Sequence, residues 1–155
     1  MPKQFWLMKT EPDTFSIDDL KARPKQTEPW DGVRNYQARN SMRDQMKIGD
    51  GVFFYHSSCE VPGIYGLAEI ASTAYPDPSQ FNPKSPYYDA GSRPEEPRWY
   101  LVDVKYQRHL KRPLTLEELK QHEQKLQGMT LLQRGSRLSV QPVRPEHWKY
   151  VLSLE

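Results

Sequence analysis

Gly49-Asp50-Gly51-Val52-Phe53-Phe54-Tyr55-His56, together with Gly63-Ile64-Tyr65-Gly66-Leu67-Ala68-Glu69-Ile70, is the stretch that decides the fold. The Gly-Asp-Gly triplet breaks any preceding helix, and Val52–Tyr55 is an unbroken β-branched and aromatic run, the pattern of a buried strand. His56-Ser57-Ser58-Cys59 ends it. Gly63–Ile70 reads as a second strand, and Gly66 within it marks a bulge or a close backbone approach.

Working outward, Phe5-Trp6-Leu7-Met8 is a short buried strand stopped by Lys9-Thr10-Glu11-Pro12. Ser16-Ile17-Asp18-Asp19-Leu20 is a capping box, Ser16 capping and Asp19 reaching back, and Pro24 ends the helix it opens. Lys25 to Pro29 is a polar loop that delivers Trp30. Asn35 to Met46 is helical with a loose apolar stripe of Tyr36, Met42 and Met46. Residues 72–98 carry six of the fourteen prolines and no periodicity. With Tyr75, Phe81, Tyr87 and Tyr88, this segment reads as a functional flap that packs down. Trp99–Tyr106 alternates as a strand, Arg108-His109-Leu110-Lys111-Arg112 is a solvated basic connection, and Thr115 opens a helix with a second capping box. Leu138–Val143 is the last strand, and Pro145 starts a helix that ends at Leu152.

Helices this short cannot supply the crossovers of a doubly wound parallel sheet. The fold class expected is therefore α+β, a single domain over 1–155: a small mixed or antiparallel barrel of about five strands with helices packed outside. At 155 residues such a domain can bury a real core; with 36% hydrophobic but 12% aromatic residues, that core leans on rings. The net charge of +2 permits a local basic patch without demanding nucleic acid. One cysteine, Cys59, rules out an intramolecular disulfide and suits a reducing compartment. The first residues lack the apolar run of a signal peptide, and no stretch has the length of a membrane span. A cytoplasmic monomer without membrane contact is expected.

Trp30-Asp31-Gly32-Val33-Arg34-Asn35-Tyr36-Gln37-Ala38-Arg39 is where chemistry concentrates. Asp31-Gly32 supplies a turn, Asn35 caps the following helix, and the indole, the Arg34 guanidinium and free backbone donors make a concave corner. Such a corner suits a planar heterocycle carrying a phosphate, or a sulfate, sulfonate or phosphate ion from the buffer. The plainer reading puts Trp30 in the core and Arg34 and Arg39 on a solvated helix face.

Other chemistries find little support. His56 and Cys59 have no second close pair of metal ligands, and His109, His122 and His147 are scattered, so no metal site is expected. Cys59 beside His56 does not make a dyad. Walker and Gly-x-Gly-x-x-Gly patterns are absent, and Glu11, Asp13 and Asp31 are ordinary turn carboxylates. No cofactor is implied. What remains is a binding surface: stacking faces on Trp30, Tyr36, Tyr55, Trp99 and the flap tyrosines, charge on Lys9, Arg34 and Arg39, and hydrogen bonds from Asn35, His56 and Ser57. Arg43 continues the charge four residues beyond Arg39, and Arg34, Arg39 and Arg43 are the expected contacts to a nucleic-acid backbone. Aromatic and basic residues interleaved in this way hold single-stranded or flipped-out bases.

The runs Trp6-Leu7-Met8-Lys9-Thr10-Glu11-Pro12, Trp30 to Arg39, Phe54-Tyr55-His56-Ser57, Gly63 to Ala68, Pro97-Arg98-Trp99-Tyr100 and Leu138 to Val143 resemble the EVE domain family. The resemblance covers essentially the whole chain, as in the family's stand-alone bacterial members. It implies a PUA-like fold, a curved barrel of about five or six strands flanked by short helices, shared with ASCH and YTH domains. It also implies a non-enzymatic reader of a modified base in DNA or RNA, methylated or hydroxymethylated cytosine being the best-known proposals. By analogy with the aromatic cage of YTH domains, Trp30 is one wall. Lys9, Thr10, Glu11, Gly32, Val33, Arg34, Asn35, Tyr36, Tyr55, His56 and Ser57 then line the pocket. The second wall is left among Trp99, Tyr87 and Tyr88. The competing expectation is a small-molecule or anion sensor, or an RNA-processing enzyme using Lys9 with Glu11 or Arg34 in the same pocket.

Overall fold

The computed structural model describes residues 3–155. In chain order the elements are β1 (Phe5–Thr10), α1 (Ile17–Ala22), β2 (Thr27–Pro29), α2 (Tyr36–Asn40), β3 (Gly51–His56), β4 (Gly63–Ile70), β5 (Tyr75–Pro76), β6 (Tyr100–Leu101), β7 (Asp103–Thr115), α3 (Leu116–Gln121), β8 (Val140–Val143) and α4 (Pro145–Leu152). Six strands form one sheet in the order β2-β7-β4-β3-β1-β8, and β5 pairs with β6 in a separate ribbon.

Within it β1 lies beside β3, parallel, with Phe5 opposite Gly51 and Thr10 opposite His56. Strand alternation sends Trp6, Met8, Val52 and Phe54 into one core and Leu7, Phe53 and Tyr55 into the other. All of β3 is buried, which is why its sequence is continuously apolar rather than alternating. Phe53 stacks on Trp148 of α4 at 4.1 Å in the second core, whereas Phe54 meets the edge of Trp30 at 5.5 Å in the first.

Bulges curl the sheet into a half-barrel. The register shifts between Phe54 and Tyr55 against β4, and twice where β4 meets β7. Gly66 lies at one of these shifts: a Cβ there would stand 2.8 Å from Ile17 and 2.9 Å from the Arg108 carbonyl, so the bulge and the close approach coincide.

The elements depart from the sequence reading in several places: the strand expected over Trp99–Tyr106 is divided between β6, which pairs with β5 of the flap, and β7. Thr27–Pro29, expected as loop, pairs with Asp103–Lys105 as the edge strand β2. The helix from Asn35 is five residues long and passes into a π-helical turn over Ser41–Gln45. Arg108–Arg112 is not a solvated connection but the middle of the 13-residue β7, with Leu110 and Leu114 turned inward. Its outward cations are answered by carboxylates, Arg108 by Glu155 at 2.6 Å and Arg112 by Glu118 at 2.6 Å. Because Glu118 is drawn to Arg112, the second capping box is half made: Thr115 accepts the Glu118 N–H, but Glu118 does not reach back. The first is complete, with Asp19 N–H to Ser16 at 3.1 Å and Ser16 N–H to Asp19 at 2.8 Å.

Candidate functional site

Parallel neighbours end at the same edge of a sheet, so the segments that follow β1 and β3 must emerge together. Lys9-Thr10-Glu11 and Ser57-Ser58 do so, and the Ser57 N–H donates to the Thr10 carbonyl at 2.9 Å. Around this edge gather the Trp30 loop, the flap tip at Tyr87 and the segment before β8, where the Lys9 N–H donates to the Ser139 carbonyl. They enclose a cavity of about 860 Å³ lined by Lys9, Thr10, Glu11, Thr14, Phe15, Arg23, Glu28 to Arg34, Ser57, Ser58, Tyr87, Ser136, Arg137 and Ser139.

Trp30 is both core and lining. Only 7% of it is exposed, it meets the rings of Phe54 and Phe15 edge-on, and its N–H continues the β2 pairing to the Val102 carbonyl. Gly32 follows with φ +82°, and a Cβ there would lie 2.6 Å from the Tyr87 ring. The absence of a side chain at this turn is what lets Tyr87 close one side of the cavity.

The corner itself is already filled from within the chain. Asp77, at the base of the flap, accepts the Gly32 N–H at 2.9 Å, Arg34 at 3.1 Å, and the N–H and hydroxyl of Ser79 at 2.8 and 2.6 Å. Burial alone would raise its pKa, but the Ser79, Gly32 and Arg34 hydrogen bonds prevail and hold it below the usual carboxylate range. Arg34 completes its fork on protein acceptors: Nε and Nη2 on the Tyr87 carbonyl, Nη1 on the Val33 carbonyl, Nη2 on the Ser79 hydroxyl. The expected phosphate position is thus occupied by a carboxylate, and Arg34 clamps the flap. Asn35 caps α2 by accepting the Ala38 N–H at 3.0 Å, as expected, but it does not line the cavity.

Several other sequence candidates lie outside the lining, each for a specific reason. Tyr55 points into the second core, where burial pushes its hydroxyl up to about 12. His56 stacks on Tyr65 at 4.1 Å and accepts the Ile17 N–H on Nε2 at 3.1 Å, which turns it toward α1; burial lowers its pKa. Tyr36 stacks on Trp99 at 4.7 Å, the Arg34 guanidinium lies over the rings of Trp99 and Tyr87, and Arg39 lies over Tyr36. This column supports the flap from outside the cavity. Arg39 also donates to the Arg98 carbonyl and Arg43 is paired with Asp44, so both guanidiniums face protein acceptors. Tyr88 is exposed beside the lining, where Tyr87 takes the wall position.

The structure therefore brings together Lys9, Thr10, Glu11, Trp30, Gly32, Val33, Arg34 and Ser57 from the sequence candidates, and adds Phe15, Arg23, Ser58, Ser136, Arg137 and Ser139. Burial lowers the Lys9 ammonium and raises the Glu28 and Asp31 carboxyls, Asp31 further through the neighbouring Asp77 charge. A site that disfavours charge on acid and base alike suits a neutral, polar ring with a hydrogen-bonding edge. Among the described residues no cluster of His, Cys, Asp and Glu is built to hold a metal, and no helix is long and apolar enough to cross a membrane.

The EVE domain family profile matches residues 4–154. Mouse thymocyte nuclear protein 1 is 50% identical over 97% of this chain and 73% of its own length. A crystal structure of the human THYN1 protein in complex with 5-methylcytosine containing DNA superimposes with a TM-score of 0.94 at 48% identity, over 98% of this chain and 97% of that one. A Pseudomonas syringae protein gives a TM-score of 0.91 at 49% identity, over 97% and 98% of the two chains.

Proposed function

The chain belongs to the EVE domain family, and on that premise we propose that it is a non-enzymatic module that takes a modified nucleobase of DNA or RNA into the Trp30 cavity. Methylated or hydroxymethylated cytosine is the leading ligand class. The observation that carries this reading is the cavity itself: an indole, a tyrosine wall and two carboxyls whose pKa values burial raises, around a space at one sheet edge. Its volume of about 860 Å³ lies within the usual range of about 300–1,000 Å³ for ligand pockets. Similarity to a chain crystallised with methylcytosine-containing DNA supports the same choice of ligand. Carboxylates also accept from the exocyclic amine of cytosine, a chemistry that Glu28 and Asp31 offer.

The enzymatic alternative asks Lys9 with Glu11 or Arg34 to converge on a phosphodiester. With the Arg34 fork closed on Asp77, Ser79 and two carbonyls, the version that relies on Arg34 lacks a free guanidinium for the phosphate. We therefore read the module as a binder, acting as a cytoplasmic monomer.

The test is titration of matched oligonucleotides, with and without 5-methylcytosine, against wild type, Trp30→Phe and Tyr87→Ala. Trp30→Phe keeps an apolar ring in the core; truncation to alanine would cost about 3–5 kcal/mol of stability and confound the result. Both variants are expected to weaken binding of the modified strand, since stacking one base on an aromatic is worth about 1–3 kcal/mol. Two folded variants that bind as wild type does would overturn the reading.

A further inference from the structure

Four cationic side chains line the cavity, Lys9, Arg23, Arg34 and Arg137. Arg23 is paired with Glu28 at 3.3 Å and Arg34 with Asp77 at 3.1 Å. The ion pairs among the described residues include neither Lys9 nor Arg137. Lys9 is half-buried at the end of β1, tied through its backbone to Ser139; Arg137 is exposed two residues earlier in the segment before β8. Ser58 follows β3, and Ser136 and Ser139 precede β8; these two strands flank β1, and all three serines line the cavity with small hydroxyl donors.

Resting on the base-binding reading, we propose that Lys9 and Arg137, with these serines, form the phosphodiester-binding rim of the site and position the strand whose base enters the cavity. The chemistry is that of backbone positioning in nucleic-acid interfaces: phosphate oxygens take hydrogen bonds from Lys, Arg and Ser without reading sequence. The geometry divides the site in two. The Trp30 and Tyr87 side receives the ring, and the β1–β8 side receives the charge. Burial keeps the Lys9 ammonium below its usual pKa, and an incoming phosphate would supply the counter-charge that the protein does not. Because a phosphodiester is common to DNA and RNA, the rim alone does not choose between them.

The experiment measures binding of 5-methylcytosine and cytosine oligonucleotides, as DNA and as RNA, across a salt series. Wild type, Lys9→Gln, Arg137→Gln, the double variant and Lys120→Ala, an exposed control on α3, are compared. Each rim substitution is expected to lower the magnitude of the slope of log K against log salt by about 0.7, the single-strand value for one phosphate. The loss should be equal for methylated and unmethylated strands, and Lys120→Ala should leave the slope in place. Rim variants with the wild-type slope and affinity would overturn the proposal. So would a loss confined to the methylated strand, which would make these residues base readers. A parallel titration with free 5-methylcytidine, which has no phosphate, separates the two ideas. Wild type that binds oligonucleotides with a rim-dependent slope, but shows no preference for the modified base or nucleoside, refutes the base reading and leaves the rim standing. RNA and DNA of equal rim-dependent slope confirm that the shared phosphodiester is what is held; a slope change on only one names that polynucleotide as the ligand.

Discussion

The carboxylate of Asp77 joins the Trp30 loop to the flap, accepting from the Gly32 backbone, from Ser79 twice and from Arg34. Its side chain is 1% exposed and that of Arg34 is 23% exposed, so the pair is largely withdrawn from solvent screening. Removing one partner of such a pair is costly because the other charge stays behind. Asp77→Ala is expected to destabilise the protein by about 3–5 kcal/mol. Arg34→Ala leaves the more deeply buried Asp77 carboxylate behind, held by Gly32 and Ser79 alone, and should cost a similar amount, about 3–5 kcal/mol. Denaturant unfolding checks both, and a double-mutant cycle should return a coupling well above zero. The same Arg34→Ala protein should keep the wild-type salt slope for nucleic acid, since its donors are already engaged; a reduced slope with unchanged stability would reverse this assignment. Seen residue by residue, the sequence marked Trp30, Lys9 and Ser57 because indoles, turn residues and cations next to strand ends are conspicuous. It could not mark Asp77 as the occupant of the corner, since that contact joins residues more than forty apart along the chain. Tyr55 was misplaced for the opposite reason: with both faces of β3 buried, no polar alternation tells which face a ring is on.

Helix α1 hangs from the sheet by its N-terminus, where the Ile17 N–H donates to Nε2 of His56. The acceptor role requires neutral imidazole with the proton on Nδ1. Burial lowers the His56 pKa, opposed by Asp18 and Asp19 and assisted by His109. The unfolded chain then binds the proton more readily than the folded one, so stability from this contact is complete above about pH 6.5 and declines as pH falls from there toward the lowered folded value. Thermal unfolding of wild type between pH 7.5 and 5 should show that decline, and His56→Gln, which keeps an acceptor but does not titrate there, should flatten it. An equal decline in the variant would assign the effect elsewhere. At this scale the sequence was most legible where one short-range rule decided the outcome: the Ser16–Asp19 capping box, the Asn35 cap and the continuous Val52–Tyr55 strand all form. It was least legible where pairing was decided at a distance. β2 is strand because β7 offers it an edge, and β7 runs through Arg108–Arg112 because Glu118 and Glu155 receive the cations. The flap of residues 72–98 shows no period because it is held by side chains instead: buried Gln80 donates to the Asp77 and Trp99 carbonyls and accepts from Ser92 and the Trp99 N–H, while Asp89 accepts from the Trp99 indole.

The molecule as a whole is a sheet packed on both faces, and the cavity is framed by the ends of its parallel pair, β1 and β3. Such a floor has little freedom to remodel, because Phe53 and Phe54 are each locked into a separate core. Binding energy must therefore come from a ring entering a preformed space, and its sources can be bounded. One stacked base contributes about 1–3 kcal/mol. A methyl group in an apolar pocket adds about 1–3 kcal/mol, or roughly 10–200-fold discrimination. Against these, drawing a paired base out of a duplex costs a few kcal/mol, least where the base is mismatched or already unpaired. The terms nearly cancel for a fully paired site and leave a surplus for an exposed one. The protein should then bind a 5-methylcytosine in a single strand or opposite a mismatch at least about tenfold more tightly than the same base in a matched duplex, tenfold corresponding to about 1.4 kcal/mol. Anisotropy titrations of one labelled strand, alone, mismatched and fully paired at fixed salt, measure this directly. Equal affinity for the mismatched and matched duplexes would mean that the protein supplies extraction energy from contacts beyond the cavity, and the account in which stacking in the Trp30 cavity provides the binding energy would have to be abandoned.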